Sequence, residues 1–321
     1  MGHERVTLWC CGLRRAPQLL PLELPPSVKL MVMMIEFLMK PVSLLGSSLA
    51  LTVCLAFATA SHAASPGESP WVGETYSKVR LVSGSVAGLS GDQMIAGVQI
   101  RLEPGWKTYW RMPGDSGVPP SFDWSGSKNL RSAEVLYPAP RRFTDASGTA
   151  IGYEDEVVFP VMVTPERRDE PVELKLNVDY GLCKTLCIPN QANLSIELPA
   201  HAVGKADDPL LKRFVDLVPR PVETGKLPAL GGIEVKLDGA KPELIIDANF
   251  ADGATGTDLF VEAPDGAFVP VPKPLGPVQS GKQRFVVSFA SPDEAAAIRG
   301  KPLTLTFVSD EGAREASVTV E

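Results

Sequence analysis

Cys183 and Cys187 stand in the stretch VDYGLCKTLCIPN, residues 178–190, and carry the most reactive side chains of that region. A thiol pair can exchange disulfides with a partner, close a structural bond, or hold a soft cation such as Cu(I), for which the thioether of Met162 offers a further donor. Residues four apart in an extended strand lie about 13 Å from Cα to Cα, whereas a disulfide needs about 4.4–6.8 Å. A bond between them therefore requires the chain to turn. Closing so short a loop removes on the order of 2 kcal/mol of unfolded-state entropy, against about 4.7 for a 100-residue loop, so the pair is a weak staple. Exchange favours the opposite arrangement, two close sulfurs on an accessible loop, one to attack and one to resolve. On the residues alone, exchange and a structural bond both stay open.

The other candidate chemistry is sparse. Of five cysteines, Cys10, Cys11 and Cys54 precede residue 63. There, MKPVSLLGSSLALTVCLAFATASHA combines Lys40, an apolar run from Val42 to Ala60 and the small-x-small site Ser61-His62-Ala63. This reads as a secretory signal cleaved after Ala63. Residues 1–63 are thus expected to be a signal peptide preceded by an upstream start artefact, with Met31, Met33, Met34 and Met39 as alternative starts. The mature chain is expected to be exported and not to span the membrane, and it keeps only Cys183 and Cys187 in a compartment where disulfides persist. Its one imidazole, His201, lies in the loop-like LPAHAVG and reads as a surface residue, which disfavours hydrolase mechanisms that need a positioned base. No metal cluster, phosphate loop or paired-carboxylate motif stands out, so no cofactor and no resident metal are expected. Asn193-Leu194-Ser195 matches a glycosylation sequon that chance also produces, and YEDE at 153–156 reads as a solvated turn. The net charge of −7, with no Lys/Arg-rich run, argues against nucleic acid as a partner.

What must position the pair is β structure. Thirty prolines in 321 residues disfavour a mainly helical chain, and this length holds about two domains. In VELKLNVDY, Val172, Leu174, Leu176, Val178 and Tyr180 alternate with polar residues, and ANLSIEL repeats the pattern with Leu194, Ile196 and Leu198. The two runs predict a hairpin whose connection holds both cysteines. Further strands are expected around 78–83, 93–102, 133–136 and 157–163. DDPLLKRFVDLVP predicts a short helix capped by Asp208 with Pro209 at its first position, and 219–232 reads as a Pro/Gly-rich linker. Beyond it, six alternating runs (IEVKL, ELIIDANF, DLFVEA, RFVVSF, LTLTFVS, EASVTV) predict a second sandwich, interrupted by a helix in SPDEAAAIRG. VPVPKPLGP reads as an edge-strand loop. The expected fold is all-β, two β-sandwiches with a few short helices, at 70–205 and 233–321, joined by a helix and linker at 206–232.

The ordered segments LEPGWKTYWRMPGDSGVPPSFDWSGSKNL, LYPAPRRFTDASGTAIGYEDEVVFPVMV and VDYGLCKTLCIPNQANLSIEL resemble the periplasmic N-terminal domain of the disulfide reductase DsbD, and more closely that of ScsB-type relatives. The resemblance covers most of residues 71–200, and the C-terminal β region looks like the second immunoglobulin-like module of ScsB-type proteins, which implies two immunoglobulin-like β-sandwiches. It implies an immunoglobulin-like sandwich carrying the dithiol at one end, reduced by a membrane-embedded partner and in turn reducing thioredoxin-fold periplasmic proteins. By motif position Cys187 is the attacking thiol and Cys183 the resolving one. RRFTD matches a cap loop whose aromatic residue shields the cysteines, which points to Phe143. Tyr109 and Tyr180 match aromatic positions near the site, although both also suit a sheet core. The cysteine spacing is shorter than in the DsbD type. The membrane and thioredoxin-like domains of full-length relatives are not in this sequence, so a separate membrane-embedded reductant is expected. The alternative is a non-catalytic binding or assembly module with a structural disulfide.

Overall fold

The computed structural model describes residues 67–321 except 74, 86–92, 116, 146–147 and 201–207; the expected leader, its cleavage site and His201 lie outside the described residues. The strands before the first helix are β1 (Ser77–Gly84), β2 (Met94–Leu102), β3 (Lys107–Gly114), β4 (Ser121–Asp123), β5 (Leu130–Val135), β6 (Arg141–Asp145), β7 (Gly148–Glu154), β8 (Glu156–Pro165), β9 (Val172–Cys183) and β10 (Cys187–Leu198). They form two antiparallel sheets, ordered β1-β2-β8-β5 and β10-β9-β3-β7-β6, with β4 pairing alongside β9. The fold is all-β and sandwich-like, as the alternation predicts.

Period-two burial builds the first core. On β9 the side chains of Val172, Leu174, Leu176, Val178, Tyr180 and Leu182 are buried, while Glu173, Lys175, Asn177 and Asp179 point to the opposite face. Ala192, Leu194, Ile196 and Leu198 of β10 bury the matching face. Trp110 and Phe159 fill the space between the sheets. Strand β3 escapes the alternation rule: Thr108, Tyr109 and Trp110 are buried in succession, because both faces of this strand are covered.

Helix α1 (Pro209–Asp216) closes one side of this core. Asp208 caps it, its Oδ1 accepting from the Leu211 N–H at 2.9 Å, and Pro209 occupies the first turn, where a missing N–H costs nothing. Leu211 and Phe214 are the buried residues of its inner face. Leu211 fits only because the strands beneath carry glycine: a Cβ on Gly97 would come within 2.6 Å of Val158 Cγ1 and 2.7 Å of Leu211 Cδ2.

The second half contains β11 (Arg220–Pro221), β12 (Ala229–Lys236), β13 (Glu243–Asn249), β14 (Asp258–Glu262), β15 (Lys273–Gln279), β16 (Lys282–Ser288), helix α2 (Pro292–Ala296), β17 (Pro302–Ser309) and β18 (Gly312–Thr319). Its sheets run β11-β18-β17-β14 and β12-β13-β16-β15 around a second hydrophobic cluster that includes Phe285, Phe307 and Leu305. The stretch 219–232 is more structured than its composition suggests: Arg220 and Pro221 pair in parallel with Arg314 and Glu315, and β12 begins at Ala229. The Pro-rich run supplies β15, an edge strand, where Pro274 and Pro277 can be tolerated without interrupting a central ladder.

One strand joins the two sandwiches. On β14, Leu259 and Val261 belong to the second core, whereas Phe260 joins the first, its ring centroid 5.6 Å from that of Trp110. Asp258 and Glu262 share the face of Phe260 by the same alternation. Asp258 takes two hydrogen bonds from Arg142 of β6, at 2.9 and 2.6 Å, and Glu262 is held by Arg111 of β3 at 2.8–3.0 Å. Arg111 also pairs with Glu315. Among the described residues, no helix is long and apolar enough to cross a membrane.

The packing of α1 makes a specific prediction. Gly97→Val adds a side chain favoured in strands, yet it is expected to lower stability by about 1–3 kcal/mol through overpacking against Val158 and Leu211. Urea unfolding measures this; unchanged or raised stability would show that the helix does not press on this strand.

Candidate functional site

Cys183 ends β9 and Cys187 begins β10, so the cysteines are the last registered pair of the hairpin, with Lys184, Thr185 and Leu186 forming the turn. Their Cα atoms lie 4.1 Å apart and the sulfurs are bonded. The required reversal is thus a hairpin turn rather than a helical one. Cys187 is exposed and Cys183 half-buried, and Leu186 at the tip is 71% exposed. The bond sits at the open end of the sheet.

The surroundings follow from strand register. Lys107 of β3 pairs directly with Cys183, so both side chains share a face, and Tyr109 lies two residues further along the same face. The Tyr109 hydroxyl is 3.0 Å from Cys187 Sγ; a disulfide sulfur carries no proton, so the phenol is the donor. The tyrosine is only 2% exposed, although it lies on the face away from the main core. Glycines make the slot for its ring: a Cβ on Gly117 would approach Tyr109 Cε1 to 2.4 Å, and one on Gly181 would approach Cε2 to 2.8 Å. Gly117, at φ +151°, covers the ring, while Gly181 forms its floor two residues before Cys183. Burial, and secondly the Asp145 carboxylate, push the Tyr109 pKa above the usual tyrosine range. The group stays a protonated donor at neutral pH.

The aromatic residues singled out by sequence occupy different places. Tyr180, three residues before Cys183, faces the first core, with its hydroxyl 2.9 Å from Ser77 Oγ and accepting from Asn190 Nδ2 at 3.0 Å. Phe143 is on an edge strand, β6, rather than in a loop; it pairs with Ala150 and its ring centroid lies 5.0 Å from Lys107 Nζ. It therefore stands over the lysine that is the cross-strand neighbour of Cys183. Met162 belongs to β8 in the other sheet, paired with Ile95 and Glu134. Sequence reasoning passed over Lys107, Asp145 and the glycine slot. The signal was present only as the unusual run of glycine and aromatic residues between Trp106 and Gly117, whose partners lie far along the chain.

Residues 78–199 match the family described as "Thiol:disulfide interchange protein DsbD, N-terminal". No curated protein sequence matches the chain. Among solved structures, the N-terminal periplasmic domain of ScsB from Proteus mirabilis matches with a TM-score of 0.61 at 21% identity, covering 80% of this chain and 99% of that one. The likeness extends the shared fold across both sandwiches, while the family match falls on the half that holds the cysteines. Residues 78–199, the stretch that carries both cysteines, are thus similar to the N-terminal domain of DsbD-type thiol:disulfide interchange proteins.

Proposed function

We propose that the protein is an exported, periplasmic thiol:disulfide interchange protein that passes electrons through Cys183 and Cys187 to thioredoxin-fold partners, without cofactor or metal. One observation carries this reading: an exposed sulfur bonded to a half-buried one, at the open end of a sheet, in a domain of this family. In the reduced state the Cys187 thiolate attacks a partner disulfide, forming a mixed disulfide and releasing one partner thiolate. Cys183 then attacks Sγ of Cys187, re-forming the internal bond and releasing the second partner thiol. Two electrons move to the partner, and a separate membrane-embedded dithiol restores the reduced pair. The exposure of Cys187 favours it as the attacking sulfur, since access governs which thiolate reacts.

Tyr109 and Lys107 favour the thiolate. A phenol that donates to a sulfur stabilises the anion more than the thiol, and an ammonium beside the pair acts in the same direction. Phe143, beside Lys107, is the proposed cap that limits access to the pair when no partner is present.

Three experiments test this. Cys183→Ser is expected to accumulate mixed disulfides through Cys187, while Cys187→Ser forms none and has no reductase activity; absence of adducts with Cys183→Ser would shift the assignment to a binding module with a structural bond. The reduction potential should fall at about −150 to −250 mV if the pair exchanges, and below about −300 mV if it is structural. Tyr109→Phe should raise the midpoint pH for alkylation of reduced Cys187 by about one unit, since a hydrogen bond to a charged group contributes about 1.5–3 kcal/mol and one unit corresponds to about 1.4. An unchanged profile would remove the phenol from the mechanism.

A further inference from the structure

The strand that carries Phe143 is fastened to the second sandwich. β6 is the outer strand of its sheet, paired only with β7, and an edge strand held by one neighbour opens easily. Phe143 and Asp145 occupy alternate positions on one face of β6. Phe143 lies over Lys107, the register partner of Cys183, and Asp145 acts on Tyr109, whose hydroxyl meets Cys187. Arg142, between them in sequence, points to the other face and leaves its own sandwich. Its guanidinium donates to Asp258 at 2.9 and 2.6 Å, to the Pro272 carbonyl at 2.7 Å and to the Leu259 carbonyl at 3.2 Å, and sits 5.5 Å from the Phe260 ring centroid. The ion pair is only 18% exposed on each side, so the fork is held in a largely desolvated setting where a bidentate arginine pair is geometrically exacting.

We infer that Arg142 is a positioning residue, and that the second sandwich, by gripping it through Asp258, holds β6 so that Phe143 stays over Lys107 beside Cys183, and so sets how readily the disulfide is attacked. The proposal rests on the dithiol reading above and gives the second sandwich a role in it. Releasing the grip lets β6 lift from its single neighbour. Phe143 then lifts off Lys107 and opens the approach beside Cys183. The same strand, β14, holds Arg111 through Glu262 on β3, two residues after Tyr109. The two site-bearing strands thus share one anchor.

The test compares Asp258→Asn and Arg142→Lys with Asp247→Asn, which cuts the Arg284 pair elsewhere on the second sandwich. The full chain is reduced by dithiothreitol, whose thiolate attacks the disulfide and whose second thiol completes the two-electron transfer; free cysteines are trapped by alkylation over time. Asp258→Asn and Arg142→Lys are expected to speed reduction roughly three- to tenfold and to accelerate amide exchange across residues 141–145, each measured well below the variant's own melting midpoint. Asp258→Glu, which keeps the carboxylate, should stay near the parent rate, as should Asp247→Asn. Rates in Asp258→Asn and Arg142→Lys no faster than in Asp247→Asn would overturn the proposal. Faster reduction without faster exchange in 141–145 would overturn it too, because β6 would not have moved. Dithiothreitol reads the bond without any protein partner, so failure here is distinguishable from failure of partner trapping.

Discussion

The register of β9 against β10 is the constraint on which the site depends. It runs unbroken from Val172 opposite Leu198 to Cys183 opposite Cys187. A slip of one residue would turn Leu174, Leu176 and Val178 out of the core and part the sulfurs at the same time, since side-chain direction alternates with each residue. The hydrophobic face that folds the domain therefore also sets the cysteine pairing. Nothing local to the turn has to specify it.

The same sheet uses its two faces for different work. Inward, Trp110, Tyr180 and Leu182 fill the core; on the other face, Tyr109, Lys107 and the cysteines form a small polar site roofed by Gly117. Tyr109 and Trp110 are neighbours in sequence and lie on opposite sides of the strand. Burying Tyr109 outside the main core keeps its phenol dry and protonated, which makes it a fixed donor to sulfur.

Much of this was legible in the sequence, for a physical reason. Strands with one wet face announce themselves by alternation, as β9, β10 and most of the second sandwich did, and the cap at Asp208 is a local signal that the structure repeats. Strand β3 hid because both of its faces are covered, so Thr108, Tyr109 and Trp110 show no period. The segment around Phe143 read as a loop because RRFTD matches the family's cap loop, whereas here it pairs with β7 as an edge strand. The joint was illegible for another reason. Arg142–Asp258 and Arg111–Glu262 link residues more than a hundred positions apart, and a single arginine in a sequence does not reveal which carboxylate it will meet.

Magnitudes explain how such a bond can open without unfolding the domain around it. Cross-linking five residues contributes only about 2 kcal/mol by the chain-entropy relation. The apolar face of β9 buries six side chains that include Val172, Leu174, Leu176 and Val178, and each such group contributes about 1.5–3 kcal/mol. The hairpin is held by its core several times more strongly than by its disulfide. Reduction therefore removes a small term at the open end of a sheet that stays folded, and the two thiols remain opposite each other, ready to close again. A disulfide spanning distant parts of the chain would couple each redox cycle to a much larger change in stability. The short spacing of Cys183 and Cys187 makes the bond nearly dispensable to the fold, and that near-independence is what repeated opening and closing requires.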